Sequence, residues 1–199
     1  MPNPNAPFGL SPVEYLSGAP WNGQARRYFI PQADANAYAV GDPVVLAGGA
    51  DARGIASITL ATPGSALLGV VVGAGGLTYG GMSADPTNLN TTVVPATKTK
   101  GYYVLVADDP NIIFEVQEIG TGTPLAAADT GLNANLVAAA NSGYLSGWVL
   151  TNTTEATTNT LDVKLLGLSQ RNPNNEFGAF AIWNVLINNH VYRPGATGK

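Results

Sequence analysis

Apolar and polar residues alternate along most of this chain in short runs with the two-residue period of β-strands. Ile112, Phe114 and Val116 fall on one side of a run whose other side carries Glu115 and Gln117. Leu161, Val163 and Leu165 alternate with Asp162 and Lys164 in the same way. Shorter β-type runs cover 27–30, ended by Pro31, and 102–106, followed by the turn pair Asp109-Pro110. The stretch 40–46 leads through Gly48-Gly49 to 55–60, where Ile58 and Leu60 alternate. Residues 67–72 are continuously apolar, which suits a strand buried on both faces. In 179–191, Ala181, Trp183, Val185 and Ile187 share one side, while the other carries Asn184, Asn188 and the apolar pair Ile182 and Leu186. One short helix is suggested over 132–140, rich in Ala and Asn and opened by Asp129-Thr130-Gly131. Many short strands punctuated by Gly, Pro, Asn and Asp predict an all-β fold, a single β-barrel or β-sandwich. A jelly-roll arrangement fits the same pattern, with at most one short helix.

Three segments break the alternation. Residues 1–25 carry Pro2, Pro4, Pro7, Pro12 and Pro20, so this stretch forms neither a regular helix nor a central strand. It reads as an extended N-terminal arm with anchors at Phe8, Leu10, Tyr15, Leu16 and Trp21, packed either on its own domain or on a neighbouring subunit. On the second reading, a chain without residues 1–24 still folds but loses its partner. The stretch 73–100 holds Gly75-Gly76, Gly80-Gly81 and an Asn/Thr tract, and long aperiodic loops inside compact domains are uncommon. It reads as a projecting loop, with a hairpin through 91–94 as the alternative. The division expected is therefore an arm at 1–25, one β domain at 26–192 and a flexible tail at 193–199.

Composition then narrows the chemistry. Only 11% of the residues are charged, against about 25% in an ordinary soluble domain. With no Cys, structural disulfides, Cys-ligated zinc and a thiol nucleophile are excluded. The net charge of −4, with basic residues dispersed apart from Arg26-Arg27, argues against a nucleic-acid partner. No apolar run reaches bilayer length and the start of the chain lacks the pattern of a secretory signal, so a cytoplasmically made protein without a membrane partner is expected. Gly73-Ala-Gly75-Gly76 lacks the Lys-Ser/Thr of a phosphate loop, and His190 stands without a serine elbow. Asp108-Asp109 before Pro110 fits a turn better than a carboxylate pair or a weak calcium site, since Asp bonds its own backbone in turns. No enzyme, no cofactor and no metal ligand set is therefore expected. Tyr144 and Trp148 share one face of a presumed strand, which leaves a sugar-binding or adhesion module as the alternative function.

The second half carries a run of motifs in a particular order. Ala107-Asp-Asp-Pro-Asn-Ile-Ile-Phe-Glu-Val-Gln117 comes first, then Ala128-Asp-Thr-Gly-Leu-Asn133. Leu165-Leu-Gly-Leu168, Pro173-Asn-Asn175 and Trp183-Asn-Val-Leu-Ile-Asn-Asn-His190 follow. This series, with weaker echoes in Gly41-Asp-Pro-Val44 and Leu68-Gly-Val-Val-Val72, resembles the head decoration or cement proteins of tailed bacteriophages. The resemblance implies an all-β protein bound to the major capsid protein on the outside of a virion, as a homo-oligomer (dimer or trimer), with no catalytic residues. Under it, Phe8, Leu10, Tyr15, Leu16 and Trp21 are the expected anchors. Arg26 and Arg27 either pair with acidic groups on a coat subunit or cap the first strand.

Overall fold

In the structure, a computed structural model, residues 3–74, 93–141, 143–171 and 174–199 are described. Five strands close into a barrel, and five others form a sheet that packs against it. In chain order the strands are β1 (Ser11–Tyr15), β2 (Arg26–Ile30), β3 (Tyr38–Ala39), β4 (Pro43–Ala50), β5 (Ala56–Leu60), β6 (Gly69–Ala74) and β7 (Val93–Val94). They continue with β8 (Tyr102–Ala107), β9 (Ile112–Gln117), β10 (Asn133–Ala134), β11 (Leu136–Val137), β12 (Val149–Leu150), β13 (Val163–Leu168) and β14 (Ile182–Ile187). The barrel runs β2-β5-β4-β6-β8, and the sheet runs β1-β9-β14-β13-β10. Every sheet pairing is antiparallel, while the barrel closes through one parallel contact at Phe29 and Ser57. The all-β reading holds, and the barrel is accompanied by a packed sheet.

The two-residue period explains both cores. Tyr28, Ile30, Val44, Ile58, Val71, Val104 and Val106 point into the barrel, closed over by Tyr38 and Val94. On the sheet, Ile112, Phe114, Val116, Trp183, Val185, Ile187, Val163 and Leu165 face inward against Ala61, Leu67, Val70 and Ala107 from the barrel side. Yet all six residues of β9 are buried, including Glu115 and Gln117 on the outer face. That face is covered by chain rather than solvent. Gln117 clamps the N-terminal segment, accepting from the Ala6 N–H at 3.0 Å and donating to the Pro4 carbonyl at 2.9 Å.

Several expectations are corrected. The 132–140 stretch is not a helix. Its backbone donors go to distant acceptors: Asn133 N–H to the Ala156 carbonyl at 2.8 Å and Leu136 N–H to the Asp162 carboxylate at 2.8 Å. The regular helical feature among the described residues is a single 3-10 turn, Ala127–Asp129. Residues 1–25 are not a separable arm. β1 pairs with β9 as the edge strand, with a register shift between Pro12 and Glu14 where proline lacks a donor. Because Leu10 lies in the core at 1% exposure, removing residues 1–24 strips a strand and a core side chain and does not leave an intact domain.

Nor is 193–199 a free tail: Ala196 N–H donates to Asn188 Oδ1 at 3.0 Å, Lys164 Nζ to the Thr197 carbonyl at 2.8 Å and Gly198 N–H to the Thr157 carbonyl at 2.9 Å. Of the projecting loop, residues 75–92 lie outside the described residues, and with them the first half of the 91–94 hairpin. Val93 and Val94 pair with β3, at Ala39 and Tyr38.

The chain after β7 is fastened by a buried ammonium. Lys98 Nζ donates to the carbonyls of Asp34 and Asn36, each at 2.6 Å, and lies 5.4 Å from the centre of the Tyr38 ring. Replacing Lys98 with methionine keeps the stem and leaves both carbonyls without this donor. The expected cost is about 2–4 kcal/mol in urea unfolding, and a loss under ~1 kcal/mol would rule out the lock.

Candidate functional site

The site begins with a crossing of two glycines. Leu10 N–H donates to the Gly41 carbonyl at 3.0 Å, and the two backbones are so close that a Cβ on Gly9 would lie 2.3 Å from that oxygen. Both glycines have positive φ, +70° and +96°. Next to them Asp42 is fully buried and accepts from the Ala39 N–H at 2.8 Å. Burial pushes its carboxyl above the usual range, although contacts to Ser146, Ala39 and Asn141 oppose the shift. Ser146 N–H donates to the Val40 carbonyl at 2.9 Å and sets Leu145 beside Val40.

This crossing opens a groove of about 350 Å³ on the surface. Phe8, Leu10, Pro12, Val40 and Leu145 make its apolar walls, and Glu115 with Arg171 its polar end. Glu115 is buried on the outer face of β9; it accepts from Ser169 Oγ at 2.5 Å and from Arg171 Nη1 at 2.9 Å. The Arg171 side chain is 67% exposed, so a cation stands in solvent at the groove's end. Leu145, which lines the groove, is 43% exposed, and its chain neighbour Tyr144 is 69% exposed.

The structure brings only two of the expected anchors to this groove, Phe8 and Leu10. Tyr15 and Trp21 instead pack against the core around the β1 turn. There the Tyr15 hydroxyl donates to Asn22 Oδ1 at 3.3 Å and Trp21 Nε1 to the Gln24 carbonyl at 3.3 Å. Leu16, on the same turn, is half exposed. Arg26 pairs within its own chain, 3.6 Å from the buried Asp108, which also accepts from the Tyr28 hydroxyl at 2.6 Å. Arg27 lies 5.9 Å from the centre of the Tyr103 ring. Asp109 serves the turn as expected, accepting from the Asn111 N–H at 2.8 Å. Trp148 is 2% exposed, so Tyr144 and Trp148 form no shared sugar platform.

Val40, Leu145, Glu115 and Arg171 were invisible as a group because they come from four distant parts of the chain. The one usable signal was Tyr144-Leu145, an apolar pair set among Asn, Ser and Gly. Among the described residues no group of three or more His, Cys, Asp or Glu side chains is arranged to hold a metal ion. Nor is any helix among the described residues long and apolar enough to cross a membrane. No family model matches the chain, and neither the curated proteins nor the solved structures provide a match.

Proposed function

We propose that this chain is a structural virion protein that binds the outer surface of a tailed-phage capsid and stabilises it, docking through the groove walled by Phe8, Pro12, Val40 and Leu145. The observation that carries the reading is an apolar groove lined by the exposed Leu145 and, on its polar side, by the exposed Arg171. Large apolar residues ringed by polar ones are the usual anchors of protein interfaces. The occupant that fits is a segment of coat subunit with an apolar side chain for the groove and a carboxylate for Arg171. A surface this poor in charge relies on such shape-matched contacts more than on long-range attraction.

The test adds the purified chain to expanded phage capsids that lack it and measures copies per coat subunit after sedimentation. Saturation at a fixed ratio is expected, and that ratio gives the oligomeric state at the docking position. Leu145→Asp, at an exposed rim position, is expected to weaken binding at least about ten-fold while leaving the unfolding midpoint within about 2 °C. Absence of co-sedimentation, or undiminished binding by Leu145→Asp, would overturn the reading.

A further inference from the structure

The turn between β8 and β9, the start of β2 and the chain just past His190 meet around another cavity. Its volume is about 370 Å³, and Arg26, Asp108, Asp109, Pro110, Asn111 and Tyr192 line it. That size lies within the range of small-molecule sites. The cavity shares no lining residue with the groove of Phe8 and Leu145, so its occupancy and capsid binding are separable.

One wall is a tyrosine held in place. Tyr192 is 51% exposed, yet it is fastened at its backbone and at its tip. Its N–H donates to His190 Nδ1 at 3.0 Å, and the two ring centres lie 5.6 Å apart. Its hydroxyl lies 3.2 Å from that of Tyr28, which donates to Asp108 Oδ2 at 2.6 Å. A ring fixed in this way while still open to solvent supplies contact area at little ordering cost.

The polar groups around it keep hydrogen-bonding capacity in reserve. Asp108 is buried, and its described contacts both fall on Oδ2, from the Tyr28 hydroxyl and from Arg26 Nη1 at 3.6 Å. Its Oδ1 accepts from no described residue. Asp109 uses Oδ1 for the Asn111 N–H at 2.8 Å and leaves Oδ2 open. The Arg26 side chain is 71% exposed, and the exposed Asn111 amide bonds no described residue.

This set selects by chemistry. A cation entering the cavity meets the Arg26 guanidinium, and an anion meets two carboxylates, so a lone charge of either sign is opposed. A neutral ligand rich in hydroxyls meets no such opposition, because each hydroxyl both donates and accepts. Its hydroxyls donate to the open oxygens of Asp108 and Asp109 and accept from Arg26 and Asn111. The C–H side of a sugar ring adds an apolar surface for an aromatic one. We propose that this cavity binds a single carbohydrate residue, set against Tyr192 and held by Asp108, Asp109, Asn111 and Arg26.

The test titrates the intact nitrogen-labelled chain with glucose, galactose, mannose and N-acetylglucosamine in turn, following backbone amide shifts by NMR. Arginine hydrochloride and sodium sulfate serve as charged probes. At least one sugar is expected to give saturable shifts at the amides of Arg26, Asp108, Asp109, Asn111 and Tyr192, with a Kd of about 1–10 mM for one ring. Tyr192→Ala should weaken that binding at least about ten-fold and Asn111→Ala about three-fold. No saturable shift with any sugar, shifts centred elsewhere, saturation by a charged probe in place of every sugar, or undiminished binding by both variants would overturn the assignment. Should Tyr192→Ala fail to fold, Asn111→Ala, at an exposed side chain, decides alone.

Discussion

Gly41→Ala is expected to lower stability by about 3–5 kcal/mol, with Gly9→Ala close behind. Two costs add at each position. An alanine held at positive φ pays on the order of 1–2 kcal/mol for its Cβ against the following carbonyl. The new methyl then meets backbone that has no room to yield: on Gly41 it lies 2.3 Å from the Phe8 carbonyl oxygen, and on Gly9 2.3 Å from the Gly41 oxygen. Relieving either clash moves the segment carrying Phe8 and Leu10 away from Val40, which opens the groove and uncovers a core leucine. Thermal and urea unfolding should show a midpoint drop of roughly 10 °C for a chain of this size. Because one crossing is broken by either change, the double variant should lose less than the sum of the two. Losses below ~1 kcal/mol for both singles would mean that the crossing is slack, and with it the placement of the groove walls.

Glu118→Leu should be about as damaging, for a different reason. Glu118 is fully buried and gathers three donors: the Leu125 N–H at 2.9 Å, the Asn152 amide at 3.1 Å and the Trp183 indole N–H at 3.0 Å. Leucine supplies no acceptor, so three buried donors lose a partner at once, a cost of about 4 kcal/mol. Glu118→Gln keeps the shape and one acceptor oxygen and should lose about 2 kcal/mol. The two variants also separate packing from charge. Burial pushes the Glu118 carboxyl above its ordinary 4.5, although the three donors pull it down. A raised folded value means that wild-type stability from this group declines as pH rises past 4.5. The deficit of Glu118→Gln should accordingly be widest in acid and narrow toward neutral pH. A deficit that widens with pH would show that the carboxylate is favoured in its charged form, reversing the assignment.

The strands were legible because their signal is local. A residue's side of a strand follows from counting by two, and Ile112-Phe114-Val116 and Ala181-Trp183-Val185-Ile187 all reach the core as that count requires. The turn at Asp109-Pro110 was equally local, since Asp109 bonds the backbone two residues on. The helix over 132–140 misled because its alanines carry the strongest helical preference, and here acceptors on Ala156 and Asp162 outcompeted the local ladder. The N-terminal segment misled for a related reason. Proline bars it from the interior of a sheet but not from the edge, and which chain offers that edge is not written in the segment itself.

For the candidate site the division is sharper. Composition and a two-residue period are properties of neighbours, and they already mark a cysteine-free, charge-poor, all-β chain with apolar residues spread along its first twenty-five positions. It took the folded chain to show that Leu10 is a core residue as well as a groove residue beside Phe8, that Arg26 pairs with Asp108, and that Glu115 meets Arg171. The polar groups Lys98, Glu118 and Asp162 are likewise buried only because distant loops close over them. Such burial depends on backbone donors and acceptors brought in from far along the chain, and no pattern of adjacent residues encodes where those will arrive.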